Sequence, residues 1–181
     1  ERDYAAVVRD LVDFCRDRPL LVFSAAGRSS APFLGAWEAA GSPFPVVDLP
    51  FLAQEAWDEL LLASDFSVVR GEESLSRAAL GGRPFLWHAY IQEGDHQLLK
   101  VRALLDRIRP FAEAADWDAL ERLSLAFNDR SAAMAPGMFG AALRRAAEDG
   151  SFRRAFSAWS SSVVSVGNLA PALLTFIREF G

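Results

Sequence analysis

Short apolar runs alternate with helical periodicities along the first half of the chain. Between Asp3 and Asp17, Tyr4, Val8, Leu11 and Cys15 fall at helical spacing and predict an amphipathic helix. Leu20–Ser24 reads as a buried strand that ends in a loop of small residues, Ala25–Ser30, before a helix through Leu34 and Trp37. Gly41 and Pro43 close that helix, and Pro45–Leu49 supplies a second strand. Gln54–Ala63 predicts a helix and Phe66–Val69 a third, β-rich strand. Glu72–Leu80 predicts a helix stopped by Gly81-Gly82, and Pro84–Trp87 a fourth strand whose proline stands at its first residue.

After Asp95 the pattern becomes helical only. Leu98, Val101, Leu105 and Ile108 line one face of a helix that ends at Pro110. Trp117–Phe127, Met138–Glu148, Phe152–Ser162 and Leu169–Phe180 follow as further helices. Strands alternating with helices in units of about 20–25 residues imply a parallel sheet with covering helices. The expected fold is therefore α/β: one domain over residues 1–181, with a Rossmann-like parallel sheet and a helical C-terminal layer. The tryptophans are read mainly as core.

Composition narrows the function. The 181 residues are 51% hydrophobic and 24% charged, with a net charge of −5, and no basic cluster of the kind that grips nucleic acid stands out. Cys15 is the only cysteine, so neither an internal disulfide nor a cysteine metal cage can form, which fits a reducing cytoplasm. Ala155–Ile177 carries no charge, but its five serines, Gly167-Asn168 and Pro171 predict two core helices joined by a turn rather than a membrane span. No leader pattern opens the sequence, and its start at Glu1 reads as a piece of a longer chain.

Ligands of parallel sheets bind beyond the carboxyl ends of the strands. Four such corners are legible: Ser24–Ser30, Leu49–Gln54, Arg70–Ser74 and His88–Asp95. The third carries the most chemistry. A strand runs into Gly71, expected to permit an unusual turn, and a helix starts at Glu72–Ser74 with free N–H groups suited to phosphate oxygens. Arg70 adds charge and Ser74 a hydroxyl. Glu72 and Glu73 oppose a diphosphate, and as first-turn acids both also complement the helix dipole; Glu72, beside the glycine, can alternatively accept from sugar hydroxyls.

Neither G-x-G-x-x-G nor a P-loop is present, which weakens dehydrogenase and NTPase readings. Asp116-Trp117-Asp118 has an Asp-x-Asp form, but Asp116 is read as a helix N-cap. His88 is expected to be structural and His96 exposed. Taken alone, Gln54 reads as an ordinary early-helix residue, and Phe51 and Tyr90 as core or rim aromatics.

Glu73–Phe85, with its helix start and Gly-x-Pro turn, resembles the donor-site segment of GT-B glycosyltransferases. Pro50–Gln54, Asp65–Ser74 and Gly82–Gln92 together are similar to the protein-arginine rhamnosyltransferases of bacterial elongation factor P, as is Asn168–Phe176. The resemblance implies transfer of L-rhamnose from dTDP-β-L-rhamnose to an arginine of elongation factor P, with inversion and without a metal or other cofactor. It places Phe51 and Gln54 on the thymidine, and Arg70, Gly71, Glu72, Glu73 and Ser74 on the diphosphate and sugar. Tyr90 falls in the same cleft, and Glu72 is a supporting catalytic residue.

Three departures stand out. Glu73 replaces the family's usual Asp, Ile91 a usual Pro, and Ala25-Ala26 a more polar, aromatic stretch. The general base the resemblance implies, an Asp of an N-terminal acceptor domain, has no counterpart here. The chain is accordingly expected to be the donor-binding half, the C-terminal part of a GT-B fold, able to bind dTDP-rhamnose but not to transfer sugar alone. Elongation factor P would be met mainly through the other domain, with no nucleic acid or membrane as partner. A GT-B transferase for another nucleotide sugar and a non-catalytic α/β interaction module are the alternatives.

Overall fold

The computed structural model describes residues 4–167 and 169–180; the expected helix start at Asp3 and the turn residue Asn168 lie outside them. The order is α1 (Ala5–Cys15), β1 (Val22–Ala25), α2 (Ser30–Ala39), β2 (Val46–Leu49), α3 (Gln54–Ala63), β3 (Ser67–Val69), α4 (Glu72–Gly81), β4 (Phe85–Trp87), α5 (His96–Ile108), α6 (Ala114–Asn128), α7 (Met138–Ala147), α8 (Ser151–Ser165) and α9 (Leu169–Phe180). Single 3-10 turns at Glu93–Asp95 and Arg109–Phe111 bracket α5.

All strand pairing is parallel, as the alternation of strands and helices implies. The strands form two separate pairs, however, β1 with β2 and β3 with β4. At three or four residues each they are short, and side chains at their carboxyl ends, rather than a backbone ladder, tie the pairs together. The expected helical cover is also incomplete. Phe23 and Val47, neighbours in the β1–β2 register, are 44% and 40% exposed, so that face is open.

The core sits instead under β4 and the helical layer. Phe85, Leu86 and Trp87 are all buried, and Phe85 meets Phe156 edge-to-face at 5.0 Å. Phe127, Phe152 and Phe156 are almost fully removed from solvent, each contributing about 2–3 kcal/mol of hydrophobic stabilisation. Gly82 ends α4 in the left-handed region at φ 64°, as the Gly81-Gly82 stop implies. There α4 lies against α8: a Cβ on Gly82 would approach Ser160 Cβ to 3.2 Å, and the Ser160 hydroxyl donates to Leu80 O at 2.9 Å.

The uncharged stretch breaks as expected. Helix α8 ends at Ser165, Gly167 takes φ 85°, and α9 begins at Leu169. Among the described residues no helix is long and apolar enough to cross a membrane.

Two polar residues knit the helical layer. Asp10 of α1 is fully buried and accepts from the backbone N–H groups of Gly137 (2.9 Å) and Phe139 (2.8 Å), closing the start of α7. Asp116 is not an N-cap. Helix α6 begins at Ala114 with Glu113 in the cap position, one turn ahead of the apolar pattern from Trp117. Asp116 falls in the first turn and receives Arg145 Nε at 3.1 Å, joining α6 to α7.

Candidate functional site

At the carboxyl ends of the strands, the corner after β3 is assembled from four segments. Val69 is buried, Arg70 half-buried, and Gly71 occupies the N-cap position of α4. Gly71 adopts φ −68° and ψ 159°, an extended conformation open to any residue, so the expected unusual turn is absent. Tyr90 lies beside it, its hydroxyl 3.6 Å from where an added Cβ would stand, an ordinary van der Waals contact. The N–H groups of Glu72, Glu73 and Ser74 open α4 and have no carbonyl a turn behind them within the helix.

Arg70 is held from three sides. Its Nη1 donates to Ser29 Oγ at 3.2 Å, its guanidinium lies 5.2 Å from the centre of the Tyr90 ring, and its carbonyl accepts from Trp87 Nε1 at 2.8 Å. It forms no ion pair among the described residues, and its Nε is buried without a hydrogen-bond partner. An arginine held in place, unneutralised and with an unused donor is prepared for an anion. The loop after β1 supplies the other wall: Ser24 and Ser30 hydroxyls lie 2.9 Å apart, and Ser29 Oγ lies 3.5 Å from His88 Nδ1. His88 is buried and also meets the Tyr4 hydroxyl at 3.1 Å, consistent with its expected structural part, while His96 is exposed at the start of α5.

The two glutamates divide. Glu73 Oε1 accepts from Arg77 at 3.3 Å, and Arg77 reaches on to Asp58 at 2.6 Å, so α3 and α4 are tied. The hydrogen bond to Asp58, partly offset by desolvation, raises the Arg77 guanidinium above its ordinary range. The Gln54 amide lies 3.4 Å from Glu73 Oε1 and against the same guanidinium, an arrangement satisfied when its oxygen faces the arginine. Glu72 is exposed and its carboxylate has no partner among the described residues; the Ser74 hydroxyl is likewise unused.

Of the residues singled out by sequence, Arg70, Gly71 and Tyr90 meet directly, Gln54 meets Glu73, and Glu72 and Ser74 stand in the same first turn. Phe51 is 90% exposed at the end of the β2 corner, with no ring partner among the described residues. Sequence reasoning missed Ser29, whose only signal was its place in a corner loop, and Arg77, an ordinary helix residue by pattern. A cavity of about 430 Å³ opens elsewhere, beside Asp10, Asp116, Arg144 and Arg145, and none of the corner residues lines it.

The chain matches the family model of the elongation factor P (EF-P) rhamnosyltransferase EarP over residues 32–178. It belongs to the EarP family. A protein-arginine rhamnosyltransferase of Neisseria meningitidis is 29% identical over 169 residues, covering 68% of this chain and 44% of that protein. Another from Pseudomonas aeruginosa is 50% identical over 58 residues, covering 32% of this chain and 15% of its own length. A solved structure, described as the structural basis for EarP-mediated arginine glycosylation of translation elongation factor EF-P, superposes with a TM-score of 0.71 at 26% identity. It covers 96% of this chain and 57% of the solved one. The chain thus spans about half the length of its EarP relatives, and the α/β core with a helical layer agrees with the GT-B-like expectation.

Proposed function

We propose that this chain is the donor-binding part of an inverting EarP-type glycosyltransferase, acting in the cytoplasm on dTDP-β-L-rhamnose. One observation carries the reading: at a single corner, the open N–H groups of α4 and the unused Ser74 hydroxyl follow Gly71, and Tyr90, whose hydroxyl lies beside Gly71, carries an unneutralised, immobilised Arg70. These groups match the oxygens of a diphosphate, which are acceptors only. The charge they offer is not spent on Glu73, because Arg77 already compensates that carboxylate.

In this reading Glu72 does what its neighbours cannot. Its free carboxylate accepts from sugar hydroxyls and holds the ring so that the anomeric carbon faces the acceptor. Phe51 offers a fully presented ring for stacking on the thymine, and Gln54 the amide next to it. Arg70, the α4 N–H groups and Ser74 stabilise the charge that builds on the diphosphate as it leaves, without a metal or other cofactor. The acceptor arginine of EF-P and the base that activates it belong to protein outside this sequence. This chain therefore binds donor and transfers nothing on its own.

Calorimetric titration of the chain with dTDP, dTDP-rhamnose, UDP and NAD tests the proposal. Binding of dTDP and dTDP-rhamnose in preference to UDP and NAD is expected. Glu72→Ala should weaken dTDP-rhamnose, and Ser74→Ala both thymidine ligands, by about 10- to 150-fold each, the loss of one hydrogen bond to a charged group. Asp116→Ala, at the α6–α7 contact, should leave both affinities unchanged. A preference for UDP would assign the site to another nucleotide sugar, and equal binding by wild type and both corner variants would place the site elsewhere.

A further inference from the structure

The free edge of β4 ends on a side chain. On one side of the strand His88 N donates to Val69 O at 2.8 Å, continuing the ladder to β3. On the other side, Trp87 O and Ala89 N face α6, where a further parallel strand would supply one N–H and one C=O. Asn128 supplies both. Its Nδ2 donates to Trp87 O at 2.8 Å and its Oδ1 accepts from Ala89 N at 2.9 Å. The second Nδ2 hydrogen goes to Ser124 O at 2.9 Å. One N–H and two carbonyls leave no ambiguity about which end of the amide is which.

A second buried amide holds the far end of the same loop. Gln97 is fully buried; its Oε1 accepts from Gln92 N at 3.0 Å, and its Nε2 donates to Asp95 Oδ1 at 3.0 Å and towards Asn128 O at 3.4 Å. Between these ties sits Tyr90, the residue under the Arg70 guanidinium. The loop has almost no regular structure of its own, so these bonds set where Tyr90 stands.

We infer that Asn128 is a positioning residue for the donor corner. Its amide stands in for a missing strand at β4 and, with Gln97, fixes the 89–92 loop so that Tyr90 supports Arg70. The part concerning donor binding rests on the function proposed above; the part concerning the loop does not. A leucine at 128 keeps the helix but leaves Trp87 O without its donor and Ala89 N without its acceptor, and the 89–92 loop is then released from α6.

The experiment compares Asn128→Leu with Leu120→Val, a core change in the same helix, at denaturant concentrations that equalise global stability. Amide exchange at Ala89 and Gln92 should rise at least tenfold in Asn128→Leu relative to Leu120→Val, and dTDP affinity should fall about tenfold in the first variant alone. Equal exchange in both variants, or faster exchange with wild-type dTDP affinity, overturns the inference. If the wild-type chain binds no dTDP, the donor reading fails and the exchange comparison alone decides the role of Asn128 in the loop. Should Asn128→Leu not fold, Gln97→Met, which removes only the outer tie, is read in the same way at Gln92.

Discussion

Asp10→Ala should be among the most destabilising single changes in the chain. The carboxylate is fully buried in α1 and takes two backbone N–H groups at the start of α7, at 2.9 and 2.8 Å. Its contact with the half-exposed Arg9 adds little. Removal leaves the buried Phe139 donor without a partner, at about 2 kcal/mol, while the exposed Gly137 donor can turn to water and adds about 1 kcal/mol, hence about 3 kcal/mol together. A chain of 181 residues has an unfolding entropy of about 0.4 kcal/mol/K, so Tm should fall by about 8 °C. Asp10→Asn keeps one acceptor and should lose about half as much. Circular dichroism melts of both, beside Asp13→Ala at an exposed site, measure this directly. A shift below about 3 °C for Asp10→Ala would refute the argument. Because Asp10 is remote from the α4 corner in its contacts, dTDP affinity measured well below Tm should not change.

Gly82→Ala should cost about 1–3 kcal/mol in urea unfolding, since it adds left-handed strain and a 3.2 Å approach to Ser160 Cβ. Gly41→Ala shares the positive φ but meets open space, so it should cost only about 1 kcal/mol; equal losses would remove the packing part of the explanation. Asp149 should give a pH signature. Burial tends to raise its carboxyl, but the Ser151 backbone N–H at 2.7 Å and the nearby arginines bring it below the ordinary carboxylate range. A depressed pKa adds stability that is present above the unfolded value and lost as pH falls through the folded one. Asp149→Asn should therefore be less stable than wild type near neutrality, with the gap closing in acid. A gap constant from neutral to acid pH would contradict this.

Much of the architecture was legible because periodicity reports burial. Helices α3 and α9 have the predicted bounds, and β1 to β4 lie within a residue or two of the apolar runs. The corner Arg70–Ser74 was legible for a related reason: a strand, a glycine and a helix start in succession place free N–H groups at a sheet's carboxyl end whatever the tertiary detail. Sheet continuity was not. Whether the β1–β2 pair joins the β3–β4 pair depends on contacts between strands distant in sequence, and the period of an isolated strand carries no such information. Gly71 misled because glycine was read as permitting an unusual turn, whereas here it is extended and has only an ordinary contact with Tyr90 beside it. Asn128 and Gln97 were invisible, since a buried amide on a helix looks in sequence like a solvated one.

The α1–α7 contact also orders events in time. The carboxylate that closes α7 lies 127 and 129 residues before the N–H groups it receives. During synthesis at about 5–20 residues per second, α1 must wait about 6–25 s before its partner exists. Until then Asp10 has water as its partner, and α7 cannot be closed by any local residue. Completion of the helical layer is therefore a late, long-range step, and a chaperone that shelters the apolar face of α1 would act in that interval.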